Sequence, residues 1–427
     1  MAQSYRTQLS AAIGRILPVA DFRALDRQGR DLWGWYPLSF VWLFQIFSRG
    51  ATLGERFREV RVWLRRLAPS VALADTYQGF VKALRRRADV LSVWLNTAFQ
   101  QRLQHWLRDD DLIGGWRPLA VDGTRFDCPR SRSCQQRFPL AGRAKSPPQL
   151  ALTTLWHLSA HCFWDGRVGP ATTSERTMLR EMLDHLPPQA LLVGDAGFAG
   201  YSFCSELIGR DVAFLLRVGG NIGLLRQLGV DRRERTDTVY LWPEKQRAHP
   251  PLTLRLIVVG SAAHRVYLVT NVLSSTALPR SLAADFYRRR WGVETAYRAV
   301  KQTLERRKLR SEAHDLALWE LVGIFLGAWA LSLTNLFARG HRRLRRTWSP
   351  AQTARLVRAA LAGVAAPRLS LRRALANAVL DPIARRRKKT RQDWPHKKHD
   401  PLCGAPKLIL ASWTLSLRAQ RLAAIPA

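Results

Sequence analysis

Two apolar runs that each stop at an aspartate constrain this chain most. Pro118-Leu119-Ala120-Val121 leads into Asp122-Gly123-Thr124, and Ala190-Leu191-Leu192-Val193-Gly194 ends at Asp195. Short apolar runs bounded by polar residues are the pattern of strands buried on both faces. Between and after them the pattern alternates. Leu150 to Leu158 and Cys162 to Val168 read as a hairpin pair, with Asp165-Gly166 nearby as turn chemistry. Ser174 to Leu186 reads as a helix with Ser174 as its N-cap. Gly200 to Ile208 reads as a helix and Val212 to Val218 as a strand.

The order strand, hairpin, helix, strand, helix, strand predicts an α/β core and matches a ribonuclease-H-like sheet. In open α/β sheets reactive groups gather beyond the carboxyl ends of strands, which is where Asp122 and Asp195 fall. The rest of the 427 residues frames that core. Residues 1–112 predict a helical N-terminal domain. Within it, Thr52 to Arg66, a break at Ala68-Pro69-Ser70, and Val71 to Arg87 have the length of a helix-turn-helix. Two amphipathic helices around a proline turn also pack that way without any DNA. Residues 113–219 and 276–337 make the core. Residues 220–275 make a β-rich insertion, with strand-like runs at Thr236 to Trp242, Leu252 to Val259 and Arg265 to Leu273. A long helix from about Leu282 to Lys308 resumes the core, and 338–427 form a basic, helical C-terminal region. Leu321 to Phe337 carries no charge. It falls short of the ~20 strongly apolar residues of a membrane span, so it reads as a buried core helix.

Charge narrows the partner. The net charge is +36, and an excess of that size repels itself in a compact fold unless a polyanion is the usual company. Arginine dominates, with 58 against ten lysines, so a GC-rich coding sequence is a competing source of the bias. The distribution is uneven. From Ala338 onward 21 basic residues face three aspartates, and the densest run is Arg385-Arg386-Arg387-Lys388-Lys389. That stretch reads as a phosphate-gripping tail or a solvated linker. Five scattered cysteines without a CxxC pair exclude a zinc ribbon and a disulfide framework and fit a reducing cytoplasm.

The chemistry concentrates on the long helix. Tyr287, Arg290, Glu294 and Lys301 are offset by 3, 7 and 14 residues, which puts them within roughly 60° of one another on a regular helix. A carboxylate between a phenol and two cations suits a metal held beside a phosphodiester. A surface salt-bridge stripe is the plainer reading. In sequence order, Val121-Asp122-Gly123-Thr124, Val193-Gly194-Asp195-Ala196-Gly197-Phe198 and Tyr287-x2-Arg290-x3-Glu294-x6-Lys301 together resemble the insertion-sequence DNA transposases of the Asp-Asp-Glu class that carry a Tyr-Arg-Glu-Lys signature. Ser174-Glu175 and Phe214-Leu215-Leu216-Arg217 are also similar to that family. The resemblance covers about residues 115 to 335.

The resemblance implies a catalytic triad of Asp122, Asp195 and Glu294 that binds two Mg²⁺ or Mn²⁺ ions, with Asp122 bridging them. It implies metal-dependent cleavage at terminal inverted repeats and strand transfer into target DNA, by a homodimer in the bacterial cytoplasm at the nucleoid, with no membrane role. Tyr287, Arg290 and Lys301 are then expected to position DNA phosphates. Many relatives carry arginine directly after the second aspartate, where this chain has Ala196. Relatives that form hairpin ends use an aromatic residue in the insertion to stack on a flipped base, and Trp242 stands there; among 16 tryptophans, core packing is the simpler account. Two rival readings are a structure-specific nuclease of the same fold and an inactive, DNA-binding relative.

Overall fold

In a computed structural model, residues 5–26, 33–107, 111–138, 146–231, 234–261, 264–340, 347–364, 369–379 and 404–424 are described. The fold is mixed α/β, with ten strands among the described residues: β1 (Arg117–Asp127), β2 (Gln149–His157), β3 (Cys162–Pro170), β4 (Ala190–Gly194), β5 (Ala213–Val218), β6 (Gly223–Arg226), β7 (Thr238–Leu241), β8 (Leu252–Val259), β9 (Val266–Thr270) and β10 (Lys407–Leu410). Two compact units form. The first comprises residues 1–111, 123–185 and 292–381; the second comprises 112–122, 186–291 and 382–427. β1 contributes its opening half to the second unit and its closing half to the first.

The second unit is built on the strand order β10-β6-β7-β8-β9-β5-β4-β1. β1, β4 and β5 are parallel neighbours, and β4 is buried along four of its five residues, as its all-apolar sequence requires. The strands of residues 220–275 do not stand apart as an insertion. β9 pairs antiparallel with β5, and β8, β7 and β6 follow antiparallel, so they extend the sheet. β10 closes that edge in parallel with β6, so the C-terminal region is not wholly helical. The run Arg385 to Lys389, with Arg391, Lys397 and Lys398, lies outside the described residues.

The first unit holds the other half of β1 with β2 and β3, together with the helices Tyr5–Ile16, Trp35–Phe44, Leu53–Leu67, Tyr77–Leu107 and His314–Arg339. The N-terminal helices thus share one body with the hairpin. The hairpin turn lies at residues 158–161, with His161 in the left-handed region at φ 52°, and not at Asp165-Gly166. Those two residues sit inside β3. The buried Asp165 carboxylate accepts hydrogen bonds from Asn96 Nδ2 (2.8 Å), the Gly166 amide (2.7 Å) and Arg167 Nη1 (2.5 Å). Gly166 is needed there because a Cβ would meet the Phe325 ring at 2.5 Å.

The helix-turn-helix expectation is corrected. Leu53–Leu67 forms as read, opened by a reciprocal cap in which Thr52 Oγ1 accepts from the Glu55 amide and Glu55 Oε2 accepts from the Thr52 amide, each at 3.2 Å. The next helix starts only at Tyr77 and runs to Leu107. Arg61 holds the intervening chain extended by donating to the Asp75 carbonyl at 2.7 Å, and Thr76 caps the new helix through the Gly79 amide. Two of the four basic residues in the supposed reading helix are committed internally. Arg85 pairs with Asp315, and Arg87 donates to the Trp33 carbonyl and stacks over Trp35.

His314–Arg339 is the one helix among the described residues long and apolar enough to cross a membrane. Its most apolar window is 72% buried within the protein, against Trp35–Phe44, Tyr77–Leu107, Tyr5–Ile16 and β3. Trp329 and Leu333 are fully enclosed, and burying side chains of this kind contributes about 1.5–3 kcal/mol each. It is a core helix, as its sequence predicts.

Candidate active site

Two carboxylates are brought to one end of the second unit by strand pairing. The β1–β4 register runs from Arg117 opposite Ala190 to Ala120 opposite Val193. The ladder stops there, two residues short of both Asp122, which lies inside β1, and Asp195, which directly follows β4. Neighbouring strand backbones in a ladder lie ~4.8 Å apart. Both aspartates are half-buried. The Asp195 carboxylate is held by its own loop, since Oδ1 accepts from the Gly197 amide at 2.9 Å, and the Phe198 amide returns to the Asp195 carbonyl. Ala196, in the place where relatives carry arginine, is buried.

Immediately after Asp122, the first unit crowds β1. A Cβ on Gly123 would collide with the Glu175 carboxylate, so glycine is what lets that side chain lie over the strand. Lys301 Nζ donates to Thr124 Oγ1 at 2.6 Å and to the Arg125 carbonyl at 2.7 Å, and sits 4.9 Å from the Phe126 ring centroid. A cation thus braces the strand two residues beyond Asp122.

The single long helix from Leu282 to Lys308 is not what forms. Arg280–Arg289 and Trp291–Arg298 are separate helices, followed by a π-helical turn at Ala299–Thr303. Dihedrals at Arg290 stay helical (φ −49°, ψ −35°), so the first break is a loosening just before Gly292, glycine being a weak helix former. The second is larger. Leu304 N bonds to Ala299 O across five residues, and this wider turn advances more slowly than 100° per residue. Lys301 therefore leaves the stripe that regular spacing gives it and reaches Thr124 instead.

Each predicted residue has a definite place. Tyr287 and Arg290 are buried together in the second unit, with the guanidinium carbon 5.5 Å from the phenol ring centroid and 5.4 Å from that of Trp291. Glu294 is half-buried on Trp291–Arg298 in the first unit. Asp122 and Asp195 belong to one unit, on and directly after neighbouring parallel strands; Glu294 belongs to the other unit. Among the described residues no three histidine, cysteine, aspartate or glutamate side chains are grouped closely enough to hold a metal ion. Trp242 is buried in the second unit, and its indole N–H donates to the His249 carbonyl at 2.8 Å. Sequence reasoning gave Thr124 and Glu175 no role of their own. The glycine directly after Asp122 was the available signal for a close approach.

The chain is 25% identical over 221 residues to the transposase InsG for insertion sequence element IS4 of Escherichia coli (strain K12), which covers 49% of this chain. It spans about half (50%) of that relative's length. Among solved structures, it is similar to a piggyBac transposase synaptic complex with hairpin DNA, at a TM-score of 0.40 and 11% identity over 87% of this chain and 85% of that one. A family model described as a transposase DDE domain matches residues 114–330, half the chain and the segment that carries both aspartates and Glu294. The chain belongs to the transposase DDE domain family.

Proposed function

We propose that this protein is a DNA transposase that cuts at the ends of a mobile element and joins them to target DNA. Asp122, Asp195 and Glu294 are its catalytic carboxylates, on a ribonuclease-H-like core. The observation that carries the reading is the family match over residues 114–330, and the parallel β1–β4 pairing, whose last pair Ala120–Val193 lies two residues before each aspartate, supports it. Carboxylate oxygens are the hard donors that Mg²⁺ or Mn²⁺ prefers, so the strand-end pair fits such an ion. When bound by these three residues, two such ions supply an activated water or 3′-hydroxyl and stabilise the leaving oxygen.

The chain's own residues do the rest. The Gly197 amide fixes how the Asp195 carboxylate points, which lowers the reorganisation needed when DNA arrives. Lys301 holds the strand beyond Asp122 while presenting positive charge to a phosphate, and Tyr287 with Arg290 forms a second phosphate contact. Glu294 serves as the third carboxylate. Two copies act together on paired inverted repeats, in the cytoplasm.

The test uses purified protein, Mg²⁺ and a duplex carrying the element's terminal repeat. A nick or hairpin at the repeat end is expected, dependent on the metal. Cutting by Glu294→Gln at the parental rate would remove Glu294 from the triad, and no cutting by the parental protein would sink the reading.

A further inference from the structure

A cavity of about 900 Å³ opens in the first unit, away from the strand-end carboxylates. One wall is a single face of Tyr77–Leu107. Trp94, Gln101, His105 and Trp106 recur at offsets of 7, 11 and 12, and so share one side of a regular helix. Trp94 and Trp106 lie about 18 Å apart along the helix axis. Phe337 and the exposed Arg15 line the cavity from other helices. The rings are braced from behind. Phe22 lies 4.6 Å from Trp94, and Phe337 lies 5.7 Å from Trp106, centroid to centroid. Arg102 is fixed by the Asp21 carboxylate and by the Ala98 carbonyl at 3.0 Å, so the acid in the lining is already neutralised.

We infer that this groove binds a short stretch of single-stranded DNA, with unpaired bases stacked on Trp94 and Trp106 and phosphates at Arg15 and His105. Three features point the same way. The cavity of about 900 Å³ has room for more than one base, and two indoles set far apart on one face provide separate stacking platforms. The exposed Arg15 puts positive charge at the rim, on a chain of net charge +36. Base stacking tolerates any sequence, as suits a strand left unpaired when an element end is opened. The inference rests on the reading of the chain as a DNA-cutting enzyme, for which it names a second contact.

The full chain is titrated with a thymidine 12-mer bearing one 2-aminopurine and, separately, with a random 30-base-pair duplex. Tight binding of the 12-mer with a change in 2-aminopurine emission is expected. Trp106→Leu should weaken 12-mer binding by on the order of tenfold. Arg15→Glu combined with His105→Glu, on the exposed rim and therefore harmless to folding, should do the same, while duplex affinity changes by less than about twofold. Equal losses for duplex and single strand, or parental 12-mer binding by both variants, would overturn the proposal. Cutting of a terminal-repeat duplex by the parental protein is scored separately, so failure of the groove and failure of the transposase reading remain distinguishable.

Discussion

The two aspartates and the glutamate of the proposed triad are held in different ways. Asp122 and Asp195 lie on and directly after paired strands, where a residue's place follows from its register and hardly from its side chain. Glu294 rides on a short helix between a loosened residue and a π-helical turn, and its place follows from side-chain packing and from the Lys301 brace. A strand end is a stiff mount. A segmented helix can settle in more than one position at small cost, and π-turns recur at functional sites for that reason. The contrast teaches where control of the reaction sits: the pair is preset, and the third carboxylate is the adjustable part.

The largest effect expected from breaking this contrast is on catalysis. Asp122→Ala, Asp195→Ala or Glu294→Gln should each reduce end cutting by about a thousandfold or more, as should chelation of the metal, with duplex binding retained in gel-shift assays. Next, Leu192→Ala, at a buried position of strand β4, should lower unfolding free energy by about 2–5 kcal/mol in urea titrations, because the stiff mount is made of such side chains. Lys301→Met should cost about 1–2 kcal/mol in the same titrations, through the lost bonds to Thr124 and Arg125. It should also reduce the slope of log affinity against log salt by about one if the ammonium meets a phosphate. An unchanged slope would leave Lys301 as a brace alone. Smallest of all, Gly123→Ala should shift stability by less than about 1 kcal/mol, because the flexible end of Glu175 can swing aside. Adding Glu175→Ala should abolish even that shift, and two additive effects would mean the side chains do not meet.

What could be read in the sequence follows the same division. β4 and β8 form at the residues their patterns indicate, because a short apolar run bounded by turn residues leaves a strand few alternatives. Asp195 directly after a strand came with them, whereas Asp122 falls in the middle of β1, which runs on to Asp127 instead of ending where the apolar run stops. A 100° periodicity has no means of showing a five-residue turn, so the segment's spacing predicts one continuous helix where a π-helical turn forms at Ala299–Thr303. β6 and β10 were missed for a related reason. Each has four residues and owes its strand geometry to pairing across nearly two hundred positions. The start of the helix at Tyr77 was masked by Val71, Leu73 and Ala74, apolar residues that look helical until Asp75 is tied down by Arg61.

The apolar helix His314–Arg339 also bears on how the protein is made. Such a segment leaving the ribosome bare would aggregate or be drawn into a lipid bilayer. Tyr5–Ile16, Trp35–Phe44, Tyr77–Leu107 and β3, which pack on it, are translated before it, and Leu371–Ala376 packs on it afterwards. Synthesis from the N-terminus therefore lays down a receptive trough first and delivers the greasy rod into it afterwards, which makes chain order itself a safeguard for this molecule.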